Sequence, residues 1–237
     1  MKILFLQNLI DKLRIKNKNS LKKFLKNNTL TTPKDIAKKK LYIRIVGQNN
    51  KIKIGDGLKI GKSLTIKGFI DNSVIEIGEN FHCENLYFQL GQDHKNFGKI
   101  KNINIKIGDN CSWESGKLVT YNANNYIKIG DKCMFAGNVT LFNTDAHPIF
   151  DIKTKKVINK INGIDIGNHV WLGMNSTILK NTQIADNCIT GWGSIVTGKH
   201  LKQNCVIAGN PAKCVKENIH WDSNGADCGY VDNNMEL

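Results

Sequence analysis

The stretch Ile164-Asp-Ile-Gly-Asn-His-Val-Trp-Leu-Gly173, continued through Thr182-Gln-Ile-Ala-Asp186 to Val206-Ile-Ala-Gly209, decides the fold. Ile166 and Ile184 lie 18 residues apart. Gly173, Gly191 and Gly209 keep that spacing, as do Val170, Cys188 and Val206. Eighteen residues are three hexapeptides, the length of one triangular turn of a parallel β-helix. Each turn lays a short strand on each of three faces, with an aliphatic residue pointing inward at each repeat and a small residue four positions later. One turn cannot bury its own apolar side, so turns must stack.

Upstream the same phrase recurs as Ile52-Lys-Ile-Gly-Asp56, Ile75-Glu-Ile-Gly-Glu79, Ile105-Lys-Ile-Gly-Asp109 and Ile127-Lys-Ile-Gly-Asp131. Spacings there are longer: 23 from Ile54 to Ile77, 30 to Ile107, 22 to Ile129 and 37 to Ile166. The excess predicts loops leaving the prism near His94–Asn102, near Tyr121–Asn125 and after His147. Residues 41–216 are thus expected to be one all-β solenoid of about eight coils with no internal boundary.

The chain has 237 residues, 41% hydrophobic content and three prolines, enough for one solenoid with appendages. Seven cysteines with no Cys-x-x-Cys pair argue against a disulfide framework or a zinc site and for a reducing compartment, so no metal is expected. Cys111, Cys133 and Cys188 each follow a repeat isoleucine by four positions, the small inward slot, and read as core rather than as nucleophiles.

The net charge of +14 is lopsided: residues 1–40 hold twelve Lys/Arg and two Asp, hence +10 of it. Leu4, Phe5, Leu9 and Leu13, then Leu21, Phe24 and Leu25, recur at helical intervals. A basic helical segment ending near Pro33 is expected, either capping the first coil or meeting an anionic membrane or polysaccharide. No recognition helix or aromatic-basic platform accompanies the charge, so nucleic acid is not an expected partner. The apolar run from Met1 to Ile10 is short, broken by Gln7 and Asn8 and followed by no small-residue cleavage site. It reads as mature protein in the cytoplasm, free or at the inner face of the membrane. Residues 217–237 read as an acidic, loosely held tail.

The stretch Met134-Phe-Ala-Gly-Asn-Val-Thr-Leu-Phe-Asn-Thr-Asp-Ala-His-Pro-Ile-Phe-Asp151, with Val170-Trp-Leu-Gly173 and Ile207-Ala-Gly-Asn-Pro-Ala-Lys213, resembles the active site of hexapeptide-repeat O-acetyltransferases. Within that family it looks most like the capsule, lipopolysaccharide and sialic acid O-acetyltransferases. The resemblance covers most of residues 42–216 and implies a left-handed β-helix, acetyl-CoA as donor, a saccharide acceptor and a homotrimer. It gives His147 as general base and Trp171 as its partner, spaced 24 residues apart. A sugar hydroxyl needs such a base, because its pKa lies far above 7 and imidazole titrates near working pH.

Asp145 is expected either to orient the ring or to form the turn before Pro148. An oxyanion donor falls near Met174, with Gly173 permitting close approach. Gly191-Trp-Gly-Ser-Ile-Val-Thr197 resembles the family's pantetheine-binding segment, which assigns Gly191, Trp192, Gly193, Ser194 and Thr197 to the donor. Lys199, Lys213 and Lys216 are candidates for its phosphates. Trp113, Tyr121 and Phe142 are candidates for an acceptor platform. Two alternatives stay open: acetylation of a free small molecule such as a sugar, an antibiotic or serine, and an idle carbohydrate-binding scaffold.

Overall fold

The computed structural model describes residues 24–33, 40–92 and 98–223. Its coils are three-sided. One face is an eight-stranded parallel sheet running from Thr29–Thr31 through Lys51–Ile54, Val74–Ile77, Ile103–Ile107, Asn125–Ile129, Ile164–Ile166 and Gln183–Ile184 to Lys199–His200. The second face carries Met134–Phe135, Trp171–Leu172, Ile189–Thr190 and Cys205–Gly209. The third carries Val139–Phe142, Thr177–Leu179 and Ile195–Val196. The long strands His82–Leu90 and Ser112–Thr120 run across the second and third faces without a break.

Strand alternation places one side chain in and the next out. In Ile103–Ile107 the three isoleucines are buried, while Asn104 and Lys106 are exposed. Stacking then builds aliphatic rows: Ile52, Ile75, Ile105, Ile127 and Ile164 pair in register, and so do Ile54, Ile77, Ile107, Ile129, Ile166 and Ile184. Each such burial contributes about 1.5–3 kcal/mol. Cys111, Cys133 and Cys188 occupy inward slots, and their thiols reach carbonyl oxygens of Gly130, Gly167 and Lys202 at 3.2–3.3 Å.

The corners explain the rest of the repeat. A Cβ on Gly78 would lie 2.5 Å from the carbonyl oxygen of Gly108, so coils approach too closely there for any side chain. At four corners an acidic or asparagine residue caps the coil before it. Asp109 accepts the Glu79 N–H (2.7 Å), Asp131 that of Asp109 (2.9 Å), Asn168 that of Asp131 (2.9 Å) and Asp186 that of Asn168 (2.7 Å). Asparagine supplies twelve of the sixteen non-glycine positive-φ residues among those described, because it tolerates the left-handed conformation that a tight corner needs.

At the ends the structure differs from the sequence reading. Residues 24–27 are helical, but Thr29–Thr31 already pair with Lys51–Lys53, so the solenoid begins before Leu41. The remainder of the expected basic helical segment lies outside the described residues, as does part of the loop near His94–Asn102. At the other end Ala212–Glu217 folds back antiparallel on Cys205–Gly209. Residues 217–223 are not loose. Lys202 pairs with Glu217, the Ile219 N–H donates to Asn204, and Trp221 is 6% exposed with its ring stacked on His169 at 4.0 Å. No helix among the described residues is long and apolar enough to cross a membrane.

Candidate active site

His147 follows the third-face strand Val139–Phe142, at the edge where the chain turns toward the first face. Residues 146–163 leave the prism there and return at Ile164. The excursion is a small hairpin: Phe150 bridges Val157, and the Ile158 N–H donates to Ile149 O (2.9 Å). Its root is tightly bonded. Asn159 Nδ2 donates to Asp145 Oδ2 (2.7 Å) and to the His147 carbonyl (2.9 Å), while its Oδ1 accepts the Ile149 N–H (2.8 Å). Lys180, one coil further along the same edge, pairs with Asp145 Oδ2 at 3.2 Å. The imidazole is exposed and makes no hydrogen bond among the described residues. Asp145 therefore faces Asn159 and Lys180 rather than the ring, which favours the second of its two expected roles, a residue of the turn before Pro148, over direct orientation of the base.

The other predicted residues lie elsewhere on the prism. Trp171 stands on the second face in one outward row with Met134, Ile189, Val206 and Lys216. In a three-sided prism that face is opposite the edge carrying His147. The expected pair is thus not brought together within one chain. Trp171 Nε1 is buried and has no partner among the described residues, and the ring lies 5.9 Å from that of Trp221.

Gly173, Met174, Gly191, Trp192 and Gly193 gather at the edge between the second and third faces. A Cβ on Gly173 would sit 2.4 Å from Thr190 O. The Gly173 N–H is spent on Thr190, on its carbonyl and its hydroxyl, both at 3.0 Å. The Met174 N–H has no partner among the described residues, which makes it the better oxyanion donor of the two. Trp192 is 71% exposed beside this bare backbone ledge, and Gly193 has open space around its α-carbon. Lys213 and Lys216 are exposed on the returning strand; Thr197 and Lys199 are exposed along the His147 edge. This open ledge with lysines beyond it suits a long thioester donor ending in phosphates.

Two assignments are corrected. Trp113 is 1% exposed, packs edge-on against Phe135 at 4.7 Å and donates to Ser115 O, so it is core and meets no sugar. Ser194 is buried; its Oγ accepts the Gly209 N–H and its carbonyl the Thr177 N–H, so it holds the coil wall. Tyr121 and Phe142 are half-buried beside the His147 edge and remain available to an acceptor. Sequence reasoning missed Asn159, Lys180 and Trp221. Ile158-Asn159 belongs to the stretches that carry the family resemblance, which gave Asn159 no role; Lys180 only follows a third-face strand, and Trp221 lies in a segment assigned to the tail.

No family model matches the chain. It is 32% identical over 196 residues to the polysialic acid O-acetyltransferase of Neisseria meningitidis, covering 82% of this chain and 86% of that protein. A polysialic acid O-acetyltransferase of Escherichia coli O1:K1 is 37% identical over 139 residues, 57% of this chain, although the match spans only 44% of that protein. Among solved structures, the polysialic acid O-acetyltransferase OatWY aligns with TM-score 0.56 and 25% identity over 88% of this chain and 91% of that one. The polySia-specific acetyltransferase NeuO gives 0.56 and 30% over 84% and 92%. The fold is the left-handed parallel β-helix of the hexapeptide-repeat transferases. The chain belongs to the hexapeptide-repeat O-acetyltransferase family and is an acyltransferase.

Proposed function

We propose that this enzyme moves acetyl from acetyl-CoA to a sugar hydroxyl of a bacterial capsular or lipopolysaccharide chain, with a sialic acid polymer first among acceptors, in the cytoplasm. The observation that carries the reading is His147: an exposed imidazole at a coil edge, on a loop fixed at its root by Asn159 and Lys180. The 32% identity to an enzyme whose name states that acceptor supports the substrate class.

Acetyl-CoA supplies an activated thioester carbonyl. Neutral His147 takes the hydroxyl proton as the sugar oxygen forms its bond to that carbonyl carbon, and returns it to the departing thiolate. Positioned proton transfer of this kind is worth about 10²–10⁴-fold. The unpartnered Met174 N–H suits the developing oxyanion, and removing one such donor costs about 10²–10³-fold in known cases.

The site is completed by a second copy of the chain, in a closed trimer. Two observations support this. His147 and Trp171 lie on opposite sides of one prism, and the hairpin beside His147 leaves Ile149, Phe150, Ile152, Val157 and Ile158 42–84% exposed. A head-to-tail contact of one edge with the other gives a closed ring when each copy turns by a third of a circle.

The test is acetyl transfer to a panel of capsular and lipopolysaccharide saccharides, read by mass spectrometry, for wild type and His147→Ala. An acetylated acceptor that the alanine variant does not produce supports the reading. Full activity of the variant refutes the base assignment. Turnover confined to a free small molecule refutes the acceptor.

A further inference from the structure

Resting on that reading of His147, we infer that Asn159 and Lys180 are positioning residues that set the base, acting through Asp145 and the loop backbone. The loop needs such a device. Ala146, between Asp145 and His147, sits at φ 61°, a conformation unfavourable for alanine, so the backbone does not hold this bend by its own preference. The bend is fixed from three sides. Thr144 Oγ1 accepts the Ala146 N–H (2.9 Å) and donates to Asn122 Oδ1 (2.6 Å), tying the approach to the preceding coil. Lys180 ties Asp145 to the following coil. Asn159 closes the loop root, with one amide satisfying acceptors on Asp145 and His147 and a donor on Ile149.

Asn159 fits this role by chemistry. Its amide must donate twice and accept once at one place. Aspartate cannot donate, and alanine does neither. Lys180 also answers a charge. Both side chains of the pair are largely shielded, 21% and 29% exposed, so removing the ammonium leaves a carboxylate without its counter-charge two residues from the base, held by Asn159 alone. None of these groups touches the imidazole, so their effect on the reaction is geometric.

Within one chain the donor ledge at Gly173, Met174 and Gly191 stands on a different edge, and neither it nor the donor candidates Thr197 and Lys199 share a hydrogen bond with this set. That separation makes the inference testable by a split in kinetic constants. Asn159→Ala and Lys180→Met are expected to lower kcat about 100-fold, the cost of a misplacement near 1 Å, with KM for acetyl-CoA and the oligomeric state unchanged. Lys180→Arg should restore most of the rate, and adding Asp145→Asn to Lys180→Met should recover part of it, since the charge left without its counter-ion is gone.

Acetyl transfer by mass spectrometry, acetyl-CoA titration and sedimentation read all three. An Asn159→Ala enzyme within about twofold of wild type in kcat overturns the inference. So does a loss of donor KM or assembly alongside kcat, which marks a merely structural role. Active His147→Ala would instead sink the underlying base assignment, while dead His147→Ala beside active Asn159→Ala would sink only the clamp.

Discussion

Mixing two inactive variants tests the division of the site between copies. His147→Ala removes the base from one edge, and Trp171→Ala alters the opposite face; the topology keeps them apart in a single chain. Each parent alone should fall by about 10²-fold or more, the lower end for loss of a general base. If each site takes His147 from one copy and Trp171 from the next, random one-to-one reassembly leaves both side chains intact at about a quarter of sites. The mixture should therefore regain about 25% of wild-type turnover after subunit exchange by co-expression. A second mixture sharpens the figure. Wild type with the double variant should give about a quarter if the site spans two copies, and about half if it lies in one. The assay is acetylated product per total chain, quantified by mass spectrometry. A His147→Ala and Trp171→Ala mixture no more active than its parents refutes the split site, and a Trp171→Ala parent with wild-type turnover removes that tryptophan from the chemistry.

Three further outcomes are expected. Gly173→Ala places a methyl 2.4 Å from Thr190 O and should cost about 1–3 kcal/mol in urea unfolding; unchanged stability would mean the coils can move apart there. Trp221→Ala vacates the stack on His169 and should cost about 3 kcal/mol while exposing residues 217–223 to limited proteolysis; protease resistance equal to wild type would show that Glu217 and Ile219 suffice. Burial pushes the Cys83 thiol from 9.0 up to about 12, so the folded chain keeps a proton that the unfolded chain releases. Stability should then fall as pH rises from about 9 toward 12, by about 1.4 kcal/mol per pH unit for that thiol. Cys83→Ala should flatten the alkaline slope, and an unchanged slope would refute the assignment.

The sequence by itself determined the solenoid. Side-chain alternation and coil length are local properties, so Ile166 to Ile184 and Gly173 to Gly191 revealed face, register and turn without any contact being known. It also showed which loop carries His147. The acidic or asparagine residue after each repeat glycine was visible as a pattern, yet its cause, an N–H of the neighbouring coil, lies across the stack.

Only the tertiary structure decided where the site residues stand relative to one another. A spacing of 24 residues between His147 and Trp171 suggests neighbours, but a chain that winds around a prism and first detours through 146–163 puts them on opposite sides. Trp113 looked like a sugar platform because sequence does not separate an inward aromatic from an outward one in a strand that bends between faces. Lys180 and Trp221 were silent for the same reason: their partners, Asp145 and His169, lie in other coils and meet them only after the coils have stacked. Asn159 differs, because its bonds to Asp145, His147 and Ile149 close one loop.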